Sequence, residues 1–278
     1  MITQKQSSLT SLLSRISIPW FVTTVYLSIL LLLPIVSLFI KSLHLGLGEF
    51  WKVATTPIAL SAYNVTFLTA LIAALINGVM GTIIAWILVR YEFPGRKLID
   101  SLIDIPFALP TSVAGLVLAT VYSPDGWMGH LFSPFGIKIA YTRFGVFVAM
   151  LFISLPFVIR TLQPVLEELE PEVEEAAASL GANSREIFSR VIFPPLLPPI
   201  LTGVALGFSR AVGEFGSIVI ISSNMPFRDL IAPVLVFQKL EQYDYIGATI
   251  IGAILLLTSL LFLLIINLLQ QWGRRYAN

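Results

Sequence analysis

Two oppositely charged residues lie inside one of the most apolar stretches of this sequence. Arg210 and Glu214 are four residues apart within the stretch 195–222. An ionisable group at the middle of a bilayer costs about 2.5–3.5 kcal/mol, so such groups face the protein interior and commonly serve a function. At this spacing the two side chains can pair on one face of a helix. Either Arg210 lines a transmembrane pathway and Glu214 holds it in place, or the pair is structural and locks helix packing or a gate.

Four glycines lie near this pair in the sequence. Gly203 and Gly207 form a small-xxx-small face, which we interpret as a surface that lets another helix approach closely. Gly213 and Gly216 bracket Glu214 and indicate a local bend at that point.

A second polar feature stands at the beginning of another apolar stretch. Asp104 is followed there by Pro106 and Pro110. Two prolines four residues apart remove two backbone donors and distort the start of a helix. Asp104 is then a helix cap that accepts from the freed backbone groups, a residue at an interface, or a gating residue. The pathway or gate candidates are therefore Arg210, Glu214, Gly213, Asp104 and Pro110.

The sequence contains no pattern typical of a catalytic or metal site. No cysteine occurs, and the two histidines, His44 and His130, fall in predicted loops far apart in sequence. No Ser/His, Asp/Asp or His-rich arrangement lies in the apolar stretches, so an intramembrane enzyme is not supported. The G-x4-G-K-[ST] pattern that cradles ATP phosphates is absent. We therefore expect no catalytic residue, no metal and no cofactor bound by this chain.

The composition predicts an all-α membrane protein. Hydrophobic residues make up 56% of the 278 positions and charged residues 12%, against about 25% charged residues in soluble domains. The net charge of +1 gives no reason to expect nucleic acid as a partner, and the lipid bilayer is the expected surrounding. Long continuous apolar runs favour transmembrane helices over barrel strands. Six spans are predicted, at 19–40, 64–89, 103–122, 144–163, 195–222 and 245–268.

The distribution of Lys and Arg predicts the orientation of these spans. With a cytoplasmic N-terminus, ten Lys and Arg residues fall in inner segments and six in outer loops. The inner residues are Lys5, Arg15, Arg90, Arg96, Lys97, Arg160, Arg185, Arg190, Arg274 and Arg275. Both termini are then cytoplasmic, and the first span is uncleaved because no small-x-small pattern closes it. No linker divides the chain, which predicts a single transmembrane domain over 1–278 with a cytoplasmic loop at 164–194.

The loop 164–194 is acidic and predicts two short helices. Pro171 suits the first turn of a helix, where its missing N–H costs nothing. Gly181 can adopt the left-handed conformation that ends a helix, and Asn183 with Glu186 resembles a capping box for a second helix. The glutamates at the start of this loop are Glu167, Glu168, Glu170, Glu172, Glu174 and Glu175.

An apolar stripe runs along the first of these predicted helices. Val173, Ala176, Ala177 and Leu180 follow at i, i+3, i+4 and i+7 spacing. A short helix with such a face suits docking into a groove of another protein. The alternative is a helix lying on the bilayer, which calls for a cationic polar face, whereas the acidic face found here is repelled by anionic lipid. A protein partner is therefore expected.

The same segment resembles the EAA loop of ABC importer permeases. The family pattern is E-A-A-x3-G-x9-I-x-L-P, and this sequence keeps its spacing with Val191 in place of Ile and Phe193 in place of Leu. The resemblance implies a coupling helix seated in a cleft of a separate ATPase subunit, with Gly181 giving the turn. The residues assigned to coupling are Glu175, Ala176, Ala177, Leu180, Gly181, Val191, Phe193 and Pro194.

Other segments resemble the T-type permease subunits of sulfate/thiosulfate ABC importers. They are Phe-Pro-Gly-Arg at 93–96, Asp-Ile-Pro-Phe-Ala-Leu-Pro-Thr at 104–111, Gln-Pro-Val-Leu-Glu-Glu-Leu at 163–169 and Gly-Glu-Phe-Gly at 213–216. The last segment is shared with molybdate permeases. The resemblance implies a type I ABC importer permease fold in a bacterial cytoplasmic (inner) membrane. In this setting Arg210 would help a divalent oxyanion to cross.

The resemblance also implies an assembly that this chain does not form alone. Its expected partners are a second permease of the W type, two ATPase subunits that use ATP and Mg, and an external sulfate- or thiosulfate-binding protein. Transport would proceed by alternating access. A permease for molybdate or tungstate is the alternative. A secondary transporter driven by an ion gradient fits less well, because the chain shows no repeated halves and the acidic loop would be unexplained.

Overall fold

All regular structure in the described part of the chain is helical, as predicted. This computed structural model describes residues 18–44 and 46–277, with side chains described for 19–44 and 46–268. The cytoplasmic placement of Lys5 and Arg15 lies outside these residues. The side chains of Arg274 and Arg275 lie outside them too.

The chain divides into two compact units, Met1–Lys52 and Val53–Asn278. In the first unit, helix α1 (Ile18–Leu27) continues through a π-helical turn, Ser28–Leu32, into α2 (Leu33–Ser42). Together they supply the apolar helix Pro19–Ser42, which is long enough to cross a bilayer. Helix α3 (Leu47–Ala54) begins in this unit.

The second unit is a bundle of long and short helices. A π-helical turn, Ile187–Ile192, joins helix α11 (Ser184–Glu186) to helix α12 (Phe193–Val212). The helices are α4 (Pro57–Arg90), α5 (Arg96–Ile103), α6 (Ile105–Ala108), α7 (Thr111–Tyr122), α8 (Trp127–Phe132), α9 (Arg143–Glu168), α10 (Pro171–Ser179), α11 (Ser184–Glu186), α12 (Phe193–Val212), α13 (Ile218–Ile221), α14 (Ala232–Glu241) and α15 (Tyr245–Ala277).

Helices α4, α9 and α12 form the core of this bundle, and small residues allow their backbones to approach closely. A Cβ placed on Gly78 of α4 would lie 2.8 Å from a Val204 methyl of α12. A Cβ on Gly203 of α12 would lie 2.6 Å from the Cα of Val158 in α9. Gly203 therefore supports helix packing, as predicted.

One polar side chain also joins helices in this core. The amide of Asn77 in α4 donates to the carbonyl oxygen of Leu151 and to the hydroxyl of Ser154 in α9, both at 2.8 Å. Such a bond between helices is favoured where water is excluded.

The predicted span 103–122 is not one helix. Helix α6 ends at Ala108, and Leu109 and Pro110 are extended before α7 begins at Thr111. Proline at 110 lacks the N–H that would continue the helix, and it disfavours helical geometry at the residue before it. Helix α7 has 12 residues. Within the described residues five helices, not six, are long and apolar enough to cross a membrane.

Two other predicted boundaries differ from the structure. The span predicted at 195–222 stops at Val212, and Gly213–Ser217 interrupts it before α13. Helix α9 runs to Glu168 and not to 163, so the connection to α10 begins at Leu169. Residues 163–168 thus continue this helix, with Leu166 still buried in the core.

We expect Gly203→Ala to lower the free energy of unfolding by about 1–3 kcal/mol, as overpacking does in a close-packed core. The new methyl would meet Val158 Cα and, at 2.5 Å, Thr161 Oγ1. Thermal unfolding of the detergent-solubilised protein measures the effect. Gly252→Ala is the matched control, because its added Cβ meets no atom within 4 Å. Equal Tm values for the two variants would contradict the assigned packing.

Candidate coupling surface and pathway site

The predicted pair of short helices is present between α9 and α12. Helix α10 begins at Pro171 and ends at Ser179. Gly181 follows with a φ of +89°, a left-handed conformation that favours glycine. The N–H of Gly181 donates to the carbonyl of Ala178 at 2.9 Å, which closes the end of the helix. The turn thus depends on the backbone that glycine allows at this position.

The second short helix begins with the predicted capping box. The side chain of Asn183 accepts from the N–H of Glu186, and the side chain of Glu186 accepts from the N–H of Asn183, both at 3.0 Å. These reciprocal bonds satisfy two donors at the helix start and fix the entry of the chain into α11.

The apolar stripe of α10 is uncovered in this chain. Leu180 is 90% exposed and Val173 is 51% exposed. Ala176 is exposed and Ala177 is half-buried, so neither fills a core. Adjacent exposed apolar side chains can form a patch that marks an interaction site. The stripe is available for docking.

The remaining residues predicted for coupling lie in the π-helical turn that packs against α10 and at the start of α12. Val191 is half-buried in the π-helical turn, and Phe193 and Pro194 open α12. The structure therefore separates the assigned set into an exposed tip on α10 and a base that leads into the bundle.

An ion pair ties α10 to the end of α4. Arg90 Nη2 lies 2.6 Å from Glu174 Oε1, with both side chains mostly buried. The guanidinium stacks over Trp86 at 5.1 Å, and Trp86 meets Phe188 edge-to-face with 6.2 Å between ring centroids. Sequence reasoning missed this link. The only signal was an arginine directly after an apolar run, which does not identify its partner 84 positions away.

Asp104 is held by an arginine and does not cap a helix. Arg160 Nε and Nη2 bind the two carboxylate oxygens of Asp104 at 2.8 and 2.7 Å. The hypothesis that Asp104 accepts from backbone at the helix start is wrong, because its side chain makes no cap bond there. The forked guanidinium matches a carboxylate with two parallel bonds, a geometry that also fixes the orientation.

The same arginine binds Asp100 in α5. Arg160 Nη1 donates to Asp100 Oδ1 at 2.7 Å, and Nη2 donates to the Asp100 carbonyl at 2.8 Å. A hydrogen bond from Gln163, together with Arg160, holds the pKa of the Asp100 carboxyl below its usual range. We name Asp100, Asp104, Arg160 and Gln163 the arginine clamp. Sequence reasoning treated Arg160 only as a cytoplasmic charge and missed this role.

The predicted pair of Arg210 and Glu214 forms at the end of α12. Arg210 Nη1 lies 2.6 Å from Glu214 Oε2. The other oxygen of Glu214 accepts from the N–H and the hydroxyl of Ser217 at 2.9 and 2.8 Å. Glu214 is 1% exposed, whereas the Arg210 side chain is 33% exposed. The carboxylate thus anchors the interruption between α12 and α13, and the guanidinium keeps a free surface.

The structure also brings the two proline- and glycine-containing segments together. A Cβ on Gly216 would lie 2.1 Å from Thr111 Oγ1, and a Cβ on Gly115 would lie 2.5 Å from the Ser217 carbonyl oxygen. Pro110 directly precedes Thr111 at the start of α7. The predicted bend at Gly213 is present, but its φ of −84° is open to any residue.

The coupling residues and the charged pair stand at opposite ends of one helix. Phe193 opens α12 and Arg210 lies in its last turn. At 1.5 Å per residue the two are separated by about 26 Å, close to the hydrophobic thickness of a membrane. One helix, which contains Pro198 and Pro199, therefore connects the loop 164–194 with this ion pair.

The family described as "Binding-protein-dependent transport system inner membrane component" matches residues 77–275, which include every feature of this site. The chain belongs to this family. The permease is therefore a multi-pass membrane component of an ABC importer family, a part of a transporter and not an enzyme.

Whole-chain relatives and a solved structure agree with this assignment. The permease is 69% identical to the "Sulfate transport system permease protein CysT" of Synechocystis sp. over 99% of this chain and 96% of that protein. It is 64% identical to the protein of the same name in Synechococcus elongatus over 95% of each. A chain of the bacterial alginate ABC transporter, crystallised with an alginate pentasaccharide-bound periplasmic protein, shares the fold, with a TM-score of 0.75, 17% identity and coverage of 100% and 99%.

We expect Arg160→Lys to lower the free energy of unfolding by about 1.5–3 kcal/mol, because a lysine keeps the charge but loses the forked donors to two carboxylates. Thermal unfolding of the solubilised permease measures this loss. Arg185→Lys is the control, since Arg185 lies in α11 and forms no ion pair among the residues described here. A Tm for Arg160→Lys equal to that of the control would mean that the clamp does not stabilise the fold.

Proposed function

We propose that the permease is the membrane-spanning subunit of an ATP-driven sulfate importer that also accepts thiosulfate. The observation that carries the proposal is identity of 69% and 64%, over nearly the whole chain, with two relatives named for sulfate transport. Arg210 is partly exposed, whereas its partner Glu214 is buried. The exposed part of Arg210 agrees with an anionic cargo, since an arginine can bind the oxygens of a divalent oxyanion.

The proposed setting is a bacterial cytoplasmic membrane, with both termini in the cytoplasm and the whole chain acting as one transmembrane permease domain of the type I fold. Six crossings are proposed. Five are made by the long apolar helices, and the sixth by the broken segment of α6 and α7. Broken helices occur at membrane depth where they are buried in protein. The close approach of Gly115 in α7 to Ser217 supports such a buried position.

We propose that α10 is the coupling helix of this importer. Its bare Leu180 and Val173 and its acidic first turn suit an apolar groove with a cationic rim on an ATPase subunit. The ion pair between Glu174 and Arg90 keeps α10 attached to α4 while its other face stays free. Two ATPase subunits would bind ATP and Mg, and a W-type permease and an external binding protein would complete the assembly.

The proposed mechanism is alternating access driven through this loop. Closure of the ATPase dimer on ATP would bring the coupling helices together, and the π-helical turn Ile187–Ile192 would transmit the movement into α12. Because α12 runs without a break from Phe193 to Val212, its far end would carry Arg210 along, and Glu214, just beyond the helix, would follow through its ion pair with Arg210. Hydrolysis would return the helices to the inward-facing arrangement.

Complexes of the permease with its partners in proteoliposomes should import labelled sulfate when ATP is inside, and unlabelled thiosulfate should compete. Arg210→Gln should reduce this import by about 10- to 100-fold, because one charged hydrogen bond to the passing anion is lost. Arg210→Lys keeps the charge and serves as the matched variant.

Two outcomes would contradict these assignments. Absence of sulfate import by the wild-type complex, with import of another solute, would overturn the proposed cargo. Unchanged import by Arg210→Gln, with an intact complex on size-exclusion chromatography, would leave Arg210 as a structural partner of Glu214 alone.

Gly181→Asp should abolish import and the stimulation of ATP hydrolysis without preventing membrane insertion. A side chain at a φ of +89° strains the turn that follows α10 and moves the docking stripe. Gly95→Asp is the control: Gly95 has a φ of +88°, also meets no atom within 4 Å, and lies outside the coupling loop. Import by Gly181→Asp at the rate of the control would contradict the coupling role.

A further inference from the structure

We propose that a cavity between the start of α9 and the loop after α13 binds the tetrahedral oxyanion at the outer face, before it reaches Arg210. The inference rests on the proposed function and adds to it a binding site. The cavity measures about 650 Å³ and is lined by Lys138, Tyr141, Thr142, Arg143, Ser223, Phe227, Arg228 and Asp229. This volume lies in the range of small-molecule sites.

The cavity wall carries a net positive charge, because three cationic side chains line it against one carboxylate. Lys138, Arg143 and Arg228 all line it, and none of them forms an ion pair within the described residues. In contrast, Arg160 and Arg210 each bind a carboxylate elsewhere in this unit. Three unpaired cations around one concave surface concentrate a divalent anion there.

The one carboxylate in the wall, that of Asp229, accepts hydrogen bonds from residues of the same loop. Asp229 is 1% exposed. Its oxygens accept from the N–H and hydroxyl of Ser223 at 2.6 and 2.7 Å and from the N–H of Met225 at 3.0 Å. Its charge is met by neutral donors that close the loop, so the carboxylate shapes the wall and leaves the cations unpaired.

The wall is held in a fixed shape. Arg143 donates from Nε to the carbonyl of Arg228 and from Nη2 to the carbonyl of Phe227, which ties α9 to the loop and leaves Nη1 without a protein acceptor. Tyr141 and Phe227 adopt φ values of +62° and +64°. Left-handed backbone at bulky residues costs about 1–3 kcal/mol and persists where the surroundings impose it, commonly at ligand sites.

A four-residue helix, α13, links the wall of this cavity to the residues around the ion pair of Arg210 and Glu214. The N–H of Tyr141 donates to the carbonyl of Ile221, the last residue of α13, at 2.7 Å. Helix α13 is four residues long, so about 6 Å of helix separates the loop from Ser217, which binds Glu214. An anion leaving this cavity finds Arg210 as the next cation along α13 and the end of α12.

A small oxyanion fits these observations better than an acidic protein surface. The cations surround a concave space, whereas a docking surface for a folded protein is broad and mostly flat. Because the cavity is open to water, binding is expected to be weak and the anion to keep part of its hydration. Weak binding suits a site from which the anion must move on.

The test uses the full-length permease in nanodiscs, with phenylglyoxal as an arginine-specific reagent and sulfate as the probe. Peptide mass spectrometry reports the modification rate of each arginine. Saturation with sulfate at ten times its dissociation constant should slow modification of Arg228 by on the order of tenfold, as site occupancy requires. Chloride at equal ionic strength should not, and Arg185 in α11 should be unprotected by either salt.

Lys138→Gln should raise the sulfate concentration for half-maximal protection of Arg228 by about tenfold, which corresponds to about 1.4 kcal/mol for one charged contact. Lys97→Gln, on the predicted cytoplasmic side, is the matched control and should leave it unchanged. Equal protection of Arg228 and Arg185, or equal protection by chloride, would overturn the site.

Two further outcomes separate this proposal from the proposed function and from a docking surface. Import of labelled sulfate by the wild-type complex, with no sulfate protection of Arg228, would overturn the outer site and leave the importer assignment intact. Loss of binding-protein affinity in Arg228→Gln without any sulfate protection in the free permease would identify the cavity wall as a protein interface instead and would also overturn it.

Discussion

The close approach of three backbones, those of α4, α9 and α12, is the constraint on which the other features of the bundle depend. In a membrane the hydrophobic effect does not drive apolar helices together, so close packing and hydrogen bonds between helices must hold them in contact. Gly78 and Gly203 remove the side chains that would hold these helices apart. Asn77 adds a directional bond within the same interface. With these three helices fixed, the arginine clamp at one end and the Glu214 anchor at the other have rigid supports.

The sequence was sufficient where the physical signal is local. The turn at Gly181, the capping box of Asn183 with Glu186, and the pair Arg210–Glu214 each involve residues within four positions, and geometry follows from the spacing alone. The helical class follows from continuous apolar runs. For the same reason the apolar stripe on α10 could be predicted from the spacing of its residues.

The sequence was insufficient where partners are distant along the chain. Arg160 and Asp104 are 56 positions apart, and Arg90 and Glu174 are 84 apart. Many cation–carboxylate pairs are compatible with one sequence, and only the packed helices select between them. Pro110 illustrates a different limit. The sequence indicates that Pro110 disrupts a helix, but whether the chain kinks or breaks there depends on the segment that packs against it. Here Gly216 packs against Thr111, directly after Pro110.

The π-helical turn Ile187–Ile192 has a consequence for helical phase. In an α-helix, side chains four positions apart share a face, whereas a turn with one extra residue rotates everything beyond it by about 100°. Phe188 and Phe193 are five positions apart, yet their rings lie 6.0 Å from each other. The stretch from Ser184 to Val212 therefore has two helical wheels and not one. An apolar face traced on one side of this turn therefore does not continue on the other, and Arg210 lies about 100° around the helix axis from where an uninterrupted α-helix would place it.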